Sequence, residues 1–409
     1  MLPLLAAMVI LAVSGAAIAV DLARAHALRQ QLQLTADAAA LAAAVNLPDV
    51  EAARNAAYRY AQRNMPGYLD VITADDIAFG QWDSEARRVS ASEAAPSAVR
   101  VTPSLTAEKG NAIATLFAGV LGHGLLDVSA SAVAGKRSPM CILALEPDKS
   151  AALALDVLAE IEAPNCTVQV NSRHQIAFRM LATSRFQAEG LCVTGGAQTS
   201  LLGSVTPEPT TGCPPQPDPL ADLEAPEIED CDFTDTDLDG HHGTLQPGVY
   251  CGGLVVGGSS DVQLAAGLYV IKDGPLKISD SSKITGDGVT FFLTGKKAVI
   301  DFEDESELSL TAPAEGALAG ILVFQDRDFG GEHVWDSKAP TSLFGTIYLP
   351  EGSLISESSN AITPVNSCNV LITKSLRFKF QSAVSIDLSQ EHCRDYLPGA
   401  VLGTVALLD

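Results

Sequence analysis

The sequence lacks several things that would point to a chemistry. Of 409 residues only 18% are charged and 5% aromatic, and 26 Lys and Arg face 49 Asp and Glu. The net charge of −23 leaves no basic footprint for nucleic-acid phosphates and opposes docking on anionic lipid. No cysteine precedes Cys141, and none of the eight stands in a Cys-x-x-Cys pair, which speaks against zinc and thioredoxin-like layouts. Gly-x-Ser-x-Gly, Walker and dinucleotide fingerprints are missing too, so no cofactor is expected. What is present is 47% hydrophobic residues, much of it Ala and Val, ample for a packed core in two or three domains. The even set Cys141, Cys166, Cys192, Cys213, Cys231, Cys251, Cys368 and Cys393 fits structural disulfides in an oxidising compartment.

One phrase recurs between Gly248 and Thr373: Gly248-Val-Tyr250, Gly267-Leu-Tyr-Val270, Gly288-Val-Thr-Phe-Phe-Leu293, Gly320-Ile-Leu-Val-Phe324, Gly345-Thr-Ile-Tyr-Leu349 and Asn369-Val-Leu-Ile-Thr373. The starts lie 19, 21, 32, 25 and 24 residues apart, with shorter alternating runs such as Leu276–Ser279 and Glu307–Leu310 between them. Short strands repeating at this period predict a β-solenoid, whose coils must stack to bury their apolar faces. A first set begins earlier, at Cys141, Cys166 and Cys192, spaced 25 and 26 apart. That spacing predicts one cysteine column, with neighbouring strands about 4.8 Å apart and close enough for a disulfide between adjacent coils. Between the sets, Thr206 to Gly248 holds eleven acidic residues and eight prolines with no Lys or Arg, which predicts a solvated loop pinned back by Cys213, Cys231 and Cys251.

Leu2 to Val20 carries no charge and matches the length of one bilayer crossing. The rival reading is a cleaved signal peptide ending at Ala17-Ile-Ala19. Helix formers continue from Asp21 to Asn46 without Gly or Pro, so an uncleaved anchor is expected. Arg24 and Arg29 after the run favour a cytoplasmic C-terminus, whereas the cysteines favour export. The cysteines weigh more, because the missing basic leader fits a start Met lying inside a longer reading frame. A second helix from Pro48 to Asn64 precedes strands at Ile77–Trp82, Arg87–Ser90 and Ala98–Thr102, a helix at Asn111–Leu121 and a strand at Leu126–Ala134. Together these form a small α+β module.

The stretch Ala19-Val-Asp21, Arg24, Leu32-Gln33 and Ala36-Asp-Ala-Ala-Ala-Leu-Ala-Ala-Ala44 resembles the N-terminal region of Tad (tight adherence, Flp pilus) assembly proteins of the TadE/TadG-like group. Pro247-Gly-Val-Tyr-Cys-Gly-Gly253, Ala266–Ile271, Gly288–Leu293 and Gly320–Arg327 are similar to the C-terminal region of Tad-domain proteins. The alanines at 36–44 would serve either a membrane stalk or a pilin-like packing helix. Asp127-Val-Ser129-Ala-Ser131 spells the D-x-S-x-S of von Willebrand A-type domains, but solenoid patterning occupies the place where such a domain needs its doubly wound sheet.

The expected architecture is an N-terminal transmembrane or long α-helix, a small α+β module, then a mainly-β right-handed β-helix (solenoid). Its boundaries are 1–46 (anchor and Tad-like helix), 47–137 (α+β), 138–393 (solenoid, interrupted by the acidic loop 206–247) and 394–409 (tail). Because right-handed β-helices host polysaccharide lyases and hydrolases, Asp301, Glu303, Asp304, Glu305 and Glu307, and Asp326, Arg327 and Asp328, are the candidate catalytic groups. Neither run shows a carboxylate calcium cage or a basic catalytic pair, so no catalytic residue is assigned. Asp235, Asp237 and Asp239 match the start of a calcium loop, yet Gln246 stands where a bidentate Glu is needed, and His241-His242 adds only a faint metal signal. The resemblance implies a non-enzymatic inner-membrane component of pilus assembly with a periplasmic C-terminal region. Its partners would be other pilus-assembly or secretion proteins, and the membrane through residues 2–20. The alternatives are a carbohydrate-active β-helix enzyme or a glycan-binding adhesin.

Overall fold

The computed structural model describes residues 2–83, 88–92, 96–118, 124–136, 138–337, 339, 341–357, 368–388, 391–403 and 405–408, with side chains from residue 18 onward except 83, 136, 391, 392 and 394. The chain divides into two units, residues 1–137 with 404–409, and residues 138–403.

In the first unit, α1 (Leu2–Val45) runs unbroken through the point where the apolar run ends. Among the described residues no helix is long and apolar enough to cross a membrane; most of the Leu2–Val20 run lies outside the described side chains. Helix α2 (Val50–Asn64) starts where Asp49 accepts the Ala52 N–H at 3.0 Å. Pro48 therefore precedes the helix, and Asp49 is its cap. Ala36, Ala39, Ala40, Ala43 and Ala44 of α1 are fully buried against Ala53, Ala57 and Ala61 of α2 and against Ile77, Phe79, Val99 and Val101. The alanine stretch is thus an internal packing face, because side chains of one methyl let two helices and a sheet approach closely. Larger residues there would overpack the core.

The sheet is antiparallel and five-stranded, in the order Arg88–Ala91, Ile77–Asp83, Ala98–Val101, Ala132–Lys136, Val405–Leu407. The helix expected at Asn111–Leu121 is not formed over its described residues. Ile113–Ala114 instead pairs antiparallel with Leu125–Leu126. Gly110 at φ +71° turns the chain just before it, and the amides of 116–118 are taken by Asp21 rather than by a helix ladder. The predicted strand Leu126–Ala134 is broken into Leu125–Leu126, Val128–Ser129 and Ala132–Lys136. The last strand, Val405–Leu407, lies within the expected tail and pairs with Ala134–Lys136. Residues 138–403 are therefore inserted between two neighbouring antiparallel strands.

The second unit is a parallel β-solenoid of about ten turns. Its repeat holds because parallel registered strands put like residues above one another. Phe292, Phe324 and Tyr348 stack in register with ring centroids 5.1 and 5.4 Å apart, and Phe302 meets Trp335 at 4.8 Å. Such contacts add about 0.5–1.5 kcal/mol each beyond area burial. Glycine opens a phrase where the corner leaves no room: a Cβ on Gly345 (φ +137°) would stand 2.6 Å from that of Ala312. A second column was not anticipated. The residue before six strands of the third flank is small and buried: Ser260, Ser282, Ser306, Ser382, Ala159 and Ser184. Ser260 N–H donates to the Ser282 hydroxyl at 3.2 Å.

The coils do not stack in chain order. Ile142–Ala144, in the first coil, pairs with Leu371–Thr373 of the last. From there one ladder climbs through residues 167–170, 190–193 and 210–211. On the other side it descends through 345–349, 321–324, 289–294, 267–272 and 248–251 to 233–234. The chain thus enters mid-stack, builds to one end, and must return the whole length to begin again at the other. The acidic segment performs that return. It is shorter than expected, because Phe233–Asp239 and His242–Leu245 are strands of the first lower coil; the strap proper is residues 212–232. The expected three-cysteine column is also corrected. Cys192 stands opposite Gln169, not Cys166, and Cys141 falls in a register shift between Met140 and Ile142.

Candidate functional site

The eight cysteines form four disulfides, Cys141–Cys166, Cys192–Cys213, Cys231–Cys251 and Cys368–Cys393. The sequence separations of 25, 21, 20 and 25 are about one coil. Two of the four clasp the strap, one at each end.

Between these clasps the strap lies along the flank. Its Gln216 N–H donates to the Asn171 side-chain oxygen at 2.9 Å, and Asn171 donates back to the Gln216 carbonyl at 2.8 Å. Asp218 accepts the Tyr348 hydroxyl at 2.6 Å. Arg327 donates to the carbonyls of Leu220 and Leu223 at 2.6 and 2.9 Å while its guanidinium sits over the rings of Phe324 and Tyr348, 5.3 and 5.4 Å from their centroids. Leu220, itself part of the strap, is buried. Desolvation first, and the Asp218 carboxylate next, push the Tyr348 phenol above its ordinary range. This latch was missed in the sequence; its one signal is the pair Leu220 and Leu223, apolar residues three apart in a polar loop.

Four of the carboxylates considered for catalysis, Asp301, Glu303, Glu307 and Asp326, are engaged between coils. Lys277 reaches Asp301 at 3.1 Å and Glu303 at 2.7 Å, and these bonds, that to Glu303 foremost, raise its own pKa. Lys283 pairs with Glu307 at 3.0 Å. Asp304 and Glu305 are exposed at the intervening turn. Asp326 accepts the Thr294 hydroxyl at 2.8 Å and the Asp328 N–H at 3.1 Å, and Arg327 belongs to the latch. The structure thus assembles ladders of ion pairs along the stack, extended by Arg179 and Arg377 on Asp156 and by Lys374 on Glu351.

Asp235, Asp237 and Asp239 fall on a strand, not in a loop, and all three are exposed. Among the described residues their strand pairs on one side only, with residues 250–257, and charge along an open edge discourages another chain from pairing there. Among the described residues no three His, Cys, Asp or Glu stand close enough to hold a metal ion. His241 and His242 flank the same edge. In the first unit, Asp127 accepts the Ala107 N–H at 2.8 Å, and Ser131 receives the Thr102 hydroxyl at 3.3 Å, so Asp127 and Ser131 serve local bonding.

The bonding of two further polar groups was not legible in the sequence. His333 is wholly buried; its Nδ1 accepts the Ile300 N–H at 3.0 Å, and its Nε2 lies 2.9 Å from the Gln325 amide. Since Nδ1 accepts, the proton rides on Nε2 and the amide must turn its oxygen toward it. Burial pushes the imidazole down to about 4. Asp21, also buried, accepts the N–H groups of Leu116, Phe117 and Ala118 at 2.8, 2.9 and 2.8 Å. These bonds, that from Ala118 foremost, hold its carboxyl below the usual range.

Residues 1–46 match a family model described as putative Flp pilus-assembly TadE/G-like, and residues 25–134 match one described as putative Tad-like Flp pilus-assembly. No curated protein and no solved structure matches the chain. The solenoid phrases that resemble Tad-domain proteins lie beyond both matches. Residues 1–134 are accordingly similar to the Tad-type regions of Flp pilus-assembly families, and the strapped solenoid follows them in the chain.

Proposed function

We propose that this protein is a non-enzymatic, membrane-anchored component of Tad/Flp pilus assembly whose solenoid is a periplasmic scaffold for other assembly proteins. The observation that carries this reading is the pair of pilus-assembly matches over residues 1–134. The anchor is the chargeless run Leu2–Val20, long enough for one crossing. Export of the C-terminal region is supported by the four disulfides, which an oxidising compartment maintains. The scaffold role is supported by the ion-pair ladders, which tie the Lys277 and Lys283 ammonium groups to Asp301, Glu303 and Glu307. A stack held this way offers shape and charge to a partner rather than a poised acid and base.

Crosslinking in cells, followed by identification of the captured proteins, tests the reading. Pilus or inner-membrane secretion components are the expected catch, and deletion should abolish piliation. Saccharide cleavage by the purified protein, lost in Asp301→Ala or Asp326→Ala, would replace the scaffold with an enzyme. Normal piliation without the protein, together with specific glycan binding, would replace it with an adhesin.

A further inference from the structure

We infer that the paired segments around Leu116–Phe117 and Leu125–Leu126 form a membrane-contacting foot that inserts into the bilayer interface beside α1. This rests on the reading of Leu2–Val20 as a membrane anchor.

The first charged residue after that run is Asp21. At that level a distant part of the chain folds back to meet the helix. Asp21 gathers the N–H groups of residues 116, 117 and 118, and Arg24, one turn on, donates to the Ala114 carbonyl at 3.3 Å. The side chains delivered there are apolar and uncovered. Leu116 is 61% exposed, Phe117 46%, Leu125 58% and Leu126 37%. No Asp, Glu, Lys or Arg occurs in the sequence from 110 to 126, although the protein is strongly charged elsewhere.

Three features favour lipid over a protein as the occupant. The patch is continuous with the end of a run that matches a bilayer crossing, so an anchored α1 brings it to the lipid surface. Its three successive amides are satisfied within the chain by one buried carboxylate, as backbone must be where water is scarce. Its composition, leucines with one aromatic ring and a flanking arginine, suits the interface, where aromatic rings sit at headgroup depth and apolar side chains reach the acyl boundary. The contact is hydrophobic, so the net negative charge of the whole chain does not oppose it in zwitterionic lipid.

The test uses the full chain reconstituted in phosphatidylcholine vesicles. A tryptophan is placed at the foot by Phe117→Trp or, as an independent reporter, Leu125→Trp; the parent, with Trp82 and Trp335, supplies the background. Lipid brominated near the top of the acyl chain should quench the added emission at least twofold. Tyr60→Trp, on α2, should stay unquenched. Asp21→Asn should reduce quenching at position 117 while the protein still resists alkaline extraction. An alkaline-resistant protein with no added quenching at 117 or 125 overturns the foot and leaves the anchor standing. Release of the protein by alkali overturns both.

Discussion

At the scale of single residues, the solenoid core contains a group whose protonation it does not tolerate. His333 is held neutral by its bonds to Ile300 and Gln325 in a fully buried site. Its folded pKa of about 4 lies below the unfolded value, near 6.5. The unfolded chain therefore binds the proton first as pH falls. The stabilisation is complete above pH 6.5 and is lost progressively between about 6.5 and 4, amounting to about 3 kcal/mol at the lower limit. Urea midpoints of the parent and of His333→Gln should accordingly converge as pH drops from 7.5 to 4.5; parallel curves would show that the imidazole does not titrate with folding. None of this was legible in the sequence. A histidine two residues into an alternating strand looks the same whether it faces solvent or core, and burial is what separates the two.

At the scale of elements, the strap is what the non-sequential stacking demands. Ten ladder steps separate residues 210–211 from residues 233–234, a rise of about 48 Å at about 4.8 Å per step. The 212–232 segment can reach about 75 Å when extended. Deleting residues 214–225 cuts that reach to about 35 Å, too short for the return path even with both clasping cysteines kept. Such a protein should fail to form the native disulfides Cys192–Cys213 and Cys231–Cys251, as peptide mapping would reveal. Replacing the same twelve residues with Gly and Ser should preserve the pairing at reduced stability, since the latch around Arg327 and Tyr348 goes but the length stays. Native pairing in the deletion would refute the stacking order. The sequence identified the segment as polar and pinned, but overextended it by reading Asp235, Asp237 and Asp239 as loop. Acidic residues on an unpaired edge strand and acidic residues in a loop share one composition, and only the pairing with residues 250–257 separates them.

At the scale of the whole molecule, the solenoid is an insertion. Lys136 and Val405 are cross-strand partners, so residues 137–404 stand where a tight turn could. Two antiparallel strands accept a two-residue Asn-Gly connection. Joining Lys136 to Val405 in this way should give a folded α+β unit that still packs Ala36–Ala44 against α2, seen as a cooperative loss of helical circular dichroism on heating. A non-cooperative melt would mean that this unit depends on the insertion. Within the solenoid, entry and exit are already tied, since the Met140 N–H donates to the Val401 carbonyl at 3.2 Å. Insertion at a site whose ends are adjacent is how one domain accommodates another without losing its own fold.

By itself the sequence determined the kinds of structure present: a long helix, alanine packing, short strands at a coil period, and cysteines about one coil apart. These follow from local periodicity, which fixes how each segment buries its own apolar face. Tertiary structure alone decided which coil lies on which, that the acidic segment runs back along the flank, and that the last strand completes the first sheet. The physical reason is that the edges of parallel coils present the same backbone donors and acceptors. A repeat shows that each coil needs a neighbour without saying which. That choice belongs to contacts between residues far apart in the chain, such as Ile142 with Leu371 and Arg327 with Leu220.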